Sequence, residues 1–402
     1  MTTPETATGP LAGVRVIELG QLIAGPFCGQ LLADFGAEVI KVEAPGVGDP
    51  MRHWGREKAD GHTLWWSVIA RNKKSITCDL RRSEGQALLK KLVANADVLI
   101  ENFRPGTLER WNLAPGTLRA LNPRLVIVRV SGYGQTGPYA GRAGFGSIGE
   151  AMGGLRYVCG DPTTPPSRMG ISIGDTLAAM HAALGAVMAL FARGRLGHGQ
   201  VVDSAIYEAV LNFMESTVIE YDQTGYIRER SGAILPGIAP SNVYPTADGL
   251  SIVIGANQDT VFRRFCAAMG HAALADDERY STHEARGRHQ QELDDLIAGW
   301  TRELTAADLL ERMEKNGVPA GGMYRAPEML ADPHFQAREA IVRVAHPHLG
   351  DVAMQNVAPR LSDTPGSVRH VGPALGEHTA QVLADLGLSQ EEVEELSREG
   401  VI

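Results

Sequence analysis

The chain has 402 residues, of which 44% are hydrophobic and 21% are charged, and its formal net charge is −9. The composition is that of a soluble globular protein, the length indicates two domains, and the acidic balance disfavours nucleic acid as a partner. The four cysteines, Cys28, Cys78, Cys159 and Cys266, lie far apart, which argues against a disulfide framework or a zinc site and predicts a cytoplasmic protein that holds no metal.

The first half of the chain alternates predicted strands and helices, after an N-terminal tail (residues 1–10) that lacks the features of a signal peptide. The predicted strands are residues 14–19, 38–42, 76–80, 98–102 and 125–130. The predicted helices are residues 26–35, 84–96, 175–192 and 206–219. Strands separated by helices predict an α/β fold with an open, parallel, doubly wound, Rossmann-like sheet.

The turn after the first strand limits what this sheet is expected to bind. Residues 20–25 read Gly-Gln-Leu-Ile-Ala-Gly, without the Gly-x-Gly-x-x-Gly spacing of dinucleotide folds. We therefore do not expect NAD or FAD. Glu43 stands at the end of the second strand, where an acid binds ribose in dinucleotide folds, and is predicted to be structural.

Basic residues cluster at two predicted strand ends. Residues 71–75 (Arg-Asn-Lys-Lys-Ser) precede a strand, and residues 101–106 (Glu-Asn-Phe-Arg-Pro-Gly) follow one. Ligands of open α/β sheets bind at strand ends, and lysine together with arginine suits a polyphosphate. A solvated loop is the alternative for Lys73 and Lys74, whereas Pro105 and Gly106 fix the loop that presents Arg104.

A glycine-rich stretch (residues 144–154) precedes a single carboxylate, Asp175, which follows a glycine and begins a long apolar helix. The free N–H groups and dipole at a helix N-terminus hold a carboxylate ionised, so Asp175 is a candidate nucleophile. Helix capping is the alternative role. The backbone N–H groups of Gly144, Gly146 and Gly149 are candidates for stabilising an oxyanion.

The apolar run that follows Asp175, residues 177–192, is shorter than the roughly 20 residues that cross a bilayer. We expect a buried core helix there and no membrane partner. His181 lies on an apolar stripe with Leu184 and Met188 and is predicted to be a core histidine turned away from Asp175. The adjacent Trp65 and Trp66 are expected in the core, or beside an acyl or adenine group.

The second half begins with a linker rich in glycine and proline, residues 225–240. A hairpin turn (244–249) leads into a strand (250–255), and helices follow at residues 260–269, 290–300 and 306–316. Strand character returns at 340–345, and helices at 379–386 and 390–399 end the chain. We predict a large domain (1–224), a linker with a smaller α+β domain (225–338), and a C-terminal return to the large domain (339–402).

Seven short motifs occur in one order along the chain. They are residues 11–19 (Leu-Ala-Gly-Val-Arg-Val-Ile-Glu-Leu), 24–26 (Ala-Gly-Pro), 72–75 (Asn-Lys-Lys-Ser), 102–106 (Asn-Phe-Arg-Pro-Gly), 131–138 (Ser-Gly-Tyr-Gly-Gln-Thr-Gly-Pro), 174–175 (Gly-Asp) and 375–379 (Leu-Gly-Glu-His-Thr). Together they resemble the CaiB/BaiF-like family III CoA-transferases, which include formyl-CoA and dicarboxylate CoA-transferases and α-methylacyl-CoA racemases. The resemblance implies an interlocked homodimer that takes acyl-CoA and a carboxylic acid as substrates without a metal.

The resemblance also implies roles for residues. Asp175 would attack the acyl-CoA thioester, giving an aspartyl anhydride and then an aspartyl-CoA thioester. The residues implied around CoA are Leu22, Asn72, Lys73, Lys74, Asn102, Phe103, Arg104, Gly144, Phe145 and Gly146. Some members also use a glutamate and a glycine-rich flap, for which Glu150 and Gly237 are the candidates here. A role for Glu377, His378 and Thr379 rests on the family pattern alone; their position is typical of a helix start.

Two chemistries occur among proteins of this pattern. Racemases place a His-Asp pair after Arg-Ala-Gly, because they need acid–base groups on both faces of the substrate carbon. Here Arg142-Ala143-Gly144 is followed by Phe145-Gly146, which leaves one carboxylate and favours transfer. A racemase with another partner group and a non-catalytic CoA-binding protein remain the alternatives.

The glycine-rich stretch 144–154 most resembles members that use succinyl-CoA and C4 to C6 dicarboxylates. A cation would then meet the distal carboxylate of the acid, and Arg156 or Arg168 is expected to supply it.

Overall fold

The computed structural model describes residues 8–402, and these form two compact units. The larger unit contains the chain up to Leu155 together with Met169–Glu220 and His334–Ile402. The smaller unit contains Arg156–Arg168 and Tyr221–Pro333. The predicted N-terminal tail falls mostly on residues 1–7, which lie outside the described residues.

The elements are numbered in chain order. The strands are β1 (Arg15–Glu18), β2 (Glu38–Glu43), β3 (Lys58–Ala59), β4 (His62–Thr63), β5 (Lys73–Thr77), β6 (Val98–Glu101), β7 (Val126–Ser131), β8 (Val201–Ala205), β9 (Ser241–Pro245), β10 (Ser251–Gly255), β11 (Ala320–Gly322), β12 (Ile341–His346) and β13 (Gly350–Gln355). The α-helices are α1 (Ala24–Asp34), α2 (Leu64–Ile69), α3 (Ser83–Ala94), α4 (Thr107–Arg110), α5 (Pro115–Leu121), α6 (Gly146–Met152), α7 (Leu155–Val158), α8 (Ile173–Leu196), α9 (Ile206–Leu211), α10 (Thr217–Thr224), α11 (Asp259–Ala268), α12 (His283–Arg288), α13 (Gln290–Thr301), α14 (Ala306–Lys315), α15 (Ala326–Ala331), α16 (Pro333–Ala337), α17 (Thr379–Asp385) and α18 (Gln390–Arg398). Short 3₁₀ turns occupy Pro50–Arg52 and Ala272–Asp276.

A six-stranded parallel sheet with the order β5-β2-β1-β6-β7-β8 forms the centre of the larger unit. The predicted α/β class and parallel sheet are therefore confirmed. The strand order reverses between β1 and β6, because the chain builds outward from β1 to β5 on one side and from β6 to β8 on the other. Open α/β sheets bind their ligands beyond the carboxyl ends of the strands at such a reversal.

Two parts of this sheet differ from the prediction. Strand β5 begins at Lys73 rather than at residue 76, because Lys73 is buried inside the sheet rather than solvated in a loop. Strand β8 was not predicted, since Val-Val-Asp-Ser-Ala at this sheet edge has neither a run of apolar residues nor a clear alternation. The single helix predicted for residues 206–219 is two helices, α9 and α10.

Helix α8 packs its small side chains into the core of the larger unit, and these are Ala178, Ala179, Ala182, Ala183, Ala186 and Ala189. Its larger side chains, including Leu184, Met188 and Phe191, are exposed, so the stripe predicted to be core is the outer face. Alanine allows close approach of α8 to the sheet, which leaves the bulky residues on the far side. By length and composition α8 is also long enough to cross a membrane, although its alanine face is part of the protein core.

The smaller unit has its own antiparallel sheet with the order β11-β10-β9. The hairpin predicted around residues 244–249 is confirmed, since Tyr244 pairs with Ile252 across β9 and β10. Phe262 and Phe265 of α11 are buried against this sheet with Tyr244. The smaller unit therefore has a separate hydrophobic core.

Candidate active site

A small cavity lies at the carboxyl ends of the central strands β1, β6 and β7, beside the reversal of strand order. Its volume is about 130 Å³. Its lining residues are Leu22, Ile23, Ala24, Asn102, Val130, Ser131, Gly132, Gly144, Phe145, Asp175 and Ile206. Five residues predicted for the site, Leu22, Asn102, Gly144, Phe145 and Asp175, are thus brought together from four different parts of the sequence.

Asp175 lies in the first turn of α8, where the helix dipole stabilises a negative charge. Gly146, the first residue of α6, lies directly against its carboxylate: a Cβ atom added at Gly146 would overlap the Asp175 oxygens. A side chain at position 146 therefore fits only if the Asp175 carboxylate moves away. The acid that the racemase pattern places at this position is absent here, and the Asp175 carboxylate occupies the space beside Gly146.

The loop after β1 is held in place by Asn102. Its side-chain amide accepts a hydrogen bond from the Gln21 N–H and donates one to the Gln21 carbonyl, both at 2.8 Å. The next residue, Leu22, has a left-handed φ of 61°, which is costly for a leucine, and its N–H donates to Asp49 at 3.0 Å. The surrounding structure thus holds Leu22 in a strained conformation at the cavity wall.

Glu150 is a buried carboxylate, 1% exposed, on the face of α6 that carries Gly146 one turn earlier. The Gly174 N–H donates to its Oε1 at 3.4 Å, and Gly174 is so close that an added Cβ would lie 2.9 Å from the Glu150 Cγ. Glu150 therefore supports the backbone immediately before Asp175. The family pattern gave Glu150 only as a candidate, and its contact with Gly174 makes the positioning of Asp175 the role to test.

A Glu150→Ala variant is expected to lower kcat about tenfold or more, because the peptide before Asp175 loses its buried hydrogen-bond acceptor. Glu150→Gln keeps an acceptor of the same length and is expected to retain most of the rate, with KM for acyl-CoA unchanged in both variants. Steady-state kinetics measures both parameters. A wild-type kcat in the Glu150→Ala variant would show that Glu150 does not position Asp175.

The predicted oxyanion donors divide into two groups. The Gly149 N–H donates to the Phe145 carbonyl at 3.1 Å within α6, so the prediction that it serves an oxyanion is wrong. Gly144 lines the cavity and Gly146 adjoins Asp175, so these two remain candidates. Sequence spacing did not separate them, because the start of α6 at Gly146 could not be located inside the glycine-rich stretch.

The side chains of residues 72–74, which were predicted as a basic loop, bond to carboxylates within the protein. Lys73 is fully buried, and its ammonium pairs with Glu18 at 2.7 Å and donates to the Pro26 carbonyl. Asn72 is buried and donates to Asp34 at 2.7 Å, while Lys74 pairs with Glu38 at 2.6 Å. These contacts give no support to the prediction that the three side chains bind CoA.

Burial lowers the pKa of Lys73, and the charge of Lys41 lowers it further against the opposing effect of Glu18. A Lys73→Met variant is expected to lose about 3–5 kcal/mol of unfolding free energy, because it removes one partner of a buried ion pair. Lys74→Met, at a half-buried pair, is the matched control and should lose less than about 1 kcal/mol. Urea denaturation measures both. Unchanged stability with a raised KM for acyl-CoA would instead place Lys73 in the binding site.

The loop after β6 presents different groups. Phe103 is half-buried, and its ring packs edge-to-face against Trp111 with 5.2 Å between centroids. Arg104 is exposed and follows it directly. Of the predicted basic residues, Arg104 is therefore the one placed where a solvent-side phosphate can reach it.

Other predicted residues lie outside this cavity. The His181 Nδ1 is 2.9 Å from the Leu177 carbonyl, as a hydrogen-bonded histidine within its own helix. Trp66 is buried and donates from Nε1 to the Pro373 carbonyl, whereas Trp65 is exposed. The His378 Nδ1 accepts the Ser75 N–H at 3.3 Å, which holds the C-terminal segment against β5.

Arg156, Arg168 and Gly237 belong to the smaller unit. Gly237 has a left-handed φ of 80°, and its N–H donates to Gln290 at 3.1 Å. Within residues 8–402, no group of three or more His, Cys, Asp or Glu side chains is arranged to hold a metal ion.

Comparison with known proteins identifies a family that spans nearly the whole chain. The model of CoA-transferase family III matches residues 11–379. A succinyl-CoA--D-citramalate CoA-transferase of Chloroflexus aurantiacus is 62% identical over 394 residues, covering 98% of each chain. A succinate--glutarate CoA-transferase of Agrobacterium fabrum is 39% identical and covers 96% of this chain and 98% of the relative.

A solved structure has the same fold. The crystal structure of a CAIB/BAIF family protein from Brucella suis superposes with a TM-score of 0.84 at 35% identity. The match covers 94% of this chain and 100% of the Brucella chain.

Proposed function

The chain belongs to CoA-transferase family III and is a CoA-transferase, and from this premise we propose that it moves CoA from succinyl-CoA to a small dicarboxylic acid through covalent intermediates on Asp175. The donor is proposed because the relatives from Chloroflexus aurantiacus are named for succinyl-CoA. The acceptor class is proposed because relatives are named for citramalate, malate and glutarate.

In the proposed reaction, an Asp175 oxygen attacks the thioester carbonyl, which forms an aspartyl anhydride and releases CoA thiolate. The thiolate attacks the aspartyl carbonyl, which releases the donor acid and leaves an aspartyl-CoA thioester. The acceptor carboxylate attacks this thioester to form a second anhydride. CoA thiolate then attacks the acceptor carbonyl, which gives the new acyl-CoA and restores Asp175. A thioester is exchanged for a thioester, so no external energy source is needed.

One observation carries this proposal: of the described residues that line the cavity, Asp175 alone has an ionisable side chain. A carboxylate nucleophile in the first turn of a helix needs no second acid–base group, whereas racemisation needs one on each face of the substrate carbon. The contact of Gly146 with Asp175 supports the same choice, because glycine provides no side chain there to serve as that second group.

The cavity is too small for a whole acyl-CoA, since pockets for drug-sized molecules, which are smaller than acyl-CoA, already measure about 300–1,000 Å³. We therefore place only the thioester and the start of the acyl group beside Asp175. The rest of CoA would extend past Asn102 and Phe103 toward the exposed Arg104. The sequence-based expectation that Arg156 or Arg168 recognises the dicarboxylate is tested by alanine variants. An unchanged KM for the dicarboxylate in both variants would exclude it.

The test is incubation of the purified protein with succinyl-CoA and a panel of acids that includes citramalate, malate, glutarate and a monocarboxylic acid. Mass spectrometry of the acyl-CoA products should show new dicarboxylyl-CoA thioesters. Uptake of deuterium from D₂O at the α-carbon of the acyl-CoA, without any new thioester, would favour the racemase alternative.

We further propose that two copies form the interlocked homodimer that the family resemblance implies. The exposed side of α8 supports a protein partner, because Met180, Leu184, Met188 and Phe191 form an apolar face and Phe191 is 87% exposed. A second copy of the same chain would cover this face. We also propose that the protein is cytoplasmic, in keeping with its unpaired cysteines.

Sedimentation equilibrium is expected to give a mass about twice the 43.1 kDa of the chain. A charge introduced by Phe191→Asp should raise the fraction of monomer, because it would be buried at the proposed contact. Lys315→Asp, at an exposed end of α14, is the control. A wild-type protein that sediments as a monomer would contradict the proposal.

A further inference from the structure

A second, larger cavity lies in the larger unit, with none of its lining residues in common with the cavity of Asp175. Its volume is about 750 Å³, within the range of small-molecule sites. Four segments form its walls: the turn Pro50–Arg52, the region from β4 into α2, the turn between β12 and β13, and residues 370–378. The reaction on Asp175 assigns no role to it.

Histidine is concentrated in this cavity. Six of the chain's 12 histidines line it: His53, His62, His346, His348, His370 and His378. Imidazole is the side chain whose charge changes near neutral pH, so the charge of these walls depends on both pH and what occupies the cavity. Histidines gathered only to fill a core would be buried, but His53, His348 and His370 are exposed.

Three of these rings form a contacting group that joins two hairpins, and we name His62, His346 and His348 the histidine cluster. The His62 and His348 rings are stacked, with centroids 4.4 Å apart and planes 6° apart. The His346 ring lies 5.8 Å from His62 and 6.0 Å from His348. Burial lowers the pKa of His346, and the charges that His62 and His348 would carry lower it further.

The other charged groups around the cavity are fixed. The Arg52 guanidinium lies 3.9 Å from the centroid of the Trp66 ring and bonds to the buried Glu43. His378 accepts the Ser75 N–H. Burial lowers the pKa of His378 against the opposing effect of the Glu377 charge, and the charges of Lys74 and His370 lower it further. The acid among the described lining residues is Glu377, whose carboxylate accepts the Ala374 N–H at 2.7 Å.

The walls therefore hold one fixed cation, six imidazoles and one acid. Protons added to the histidine cluster repel each other at these distances unless a negative charge enters the cavity. An anion would offset that repulsion, and protonation would in turn strengthen the binding of the anion.

We propose that this cavity binds a small molecule with two or more anionic groups, phosphate or carboxylate, and that binding adds protons to the histidine cluster. The site is separate from the reaction on Asp175. Its occupancy rises as pH falls, because the anion raises the pKa of the imidazoles that it contacts. Affinity then changes by about tenfold per pH unit for each proton taken up.

Isothermal titration calorimetry with inorganic pyrophosphate and with tricarballylate tests the proposal at pH 6, 7 and 8. At least one of the two is expected to bind, more tightly at the lowest pH, with proton uptake measured from the dependence on buffer ionisation heat. Binding of pyrophosphate alone identifies a phosphate ligand, and binding of tricarballylate alone a carboxylate ligand.

His62→Gln and His348→Gln should each weaken binding by about tenfold and reduce the proton uptake. His271→Gln, at an exposed position in the smaller unit, is the matched control and should bind as the wild type does. The proposal is overturned if neither anion binds, or if binding is independent of pH. It is also overturned if saturating CoA abolishes anion binding, because the anion would then occupy the acyl-CoA site.

Discussion

An Asp175→Asn variant is expected to lose CoA-transferase activity by about 10³-fold or more while still folding and binding CoA. The amide keeps the size of the carboxylate at the start of α8 but provides no anionic oxygen to attack a thioester. No other described residue in the cavity lining has an ionisable side chain, so none of them can replace the nucleophile. Initial rates with succinyl-CoA and citramalate, together with a thermal melt, measure the effect.

Asp385→Asn is the matched control for this variant. It makes the same substitution at an exposed residue, the last of α17, and should retain the wild-type rate. A rate near that of the wild type for Asp175→Asn would mean that Asp175 only stabilises the first turn of α8, whose N-cap is Ser172, and the chemistry would have to be assigned elsewhere.

Gly146→Ala is expected to lower kcat by about 10²-fold, because the added methyl group overlaps the carboxylate of Asp175 and must displace it. Alanine is favoured over glycine in a helix, so the start of α6 should be no less stable by intrinsic preference. The loss should therefore appear in the rate rather than in the folding of the protein. Rapid-quench measurement of acyl-enzyme formation separates the chemical step from substrate binding.

Gly116→Ala is the control for the glycine substitution. Gly116 also lies in the first turn of a short helix, α5, but an added Cβ there meets no atom within 4 Å. This variant should keep full activity. Equal rates in the two alanine variants would show that the contact between position 146 and Asp175 does not affect catalysis.

The parallel sheet and the position of Asp175 could be predicted because each leaves a local pattern. Apolar strands alternate with amphipathic helices in the first half of the chain, and a single acid begins an apolar helix after a glycine. The family motifs added Leu22 and Asn102, which the fold brings to the same cavity as Asp175.

The sequence did not reveal which polar groups would form hydrogen bonds or ion pairs inside the protein and so be unable to bind a ligand. Lys73 is a basic residue beside a predicted strand, and only the tertiary structure shows that Glu18 pairs with it inside the sheet. Gly146 and Gly149 cannot be told apart within a glycine-rich stretch of sequence. The structure separates them, because α6 begins at Gly146 and the Gly149 N–H is hydrogen-bonded within that helix. Contacts between distant segments decided both cases.

The outer face of α8 was missed for a related reason. A run of apolar residues predicts burial, but it does not show which side of a helix faces the core. The alanines occupy the core side, and Leu184, Met188 and Phe191 are exposed.

The central claim is that Asp175 forms covalent bonds with acyl groups, and transfer of oxygen from the acceptor tests it most directly. The acceptor acid is labelled with heavy oxygen in its carboxylates and incubated with succinyl-CoA and stoichiometric enzyme, after which the peptide containing Asp175 is analysed by mass spectrometry. The proposed reaction leaves one acceptor oxygen in the Asp175 carboxylate, because the bridging oxygen of the second anhydride stays with the enzyme. New acyl-CoA without heavy oxygen in that peptide would contradict the account and require transfer without an aspartyl intermediate.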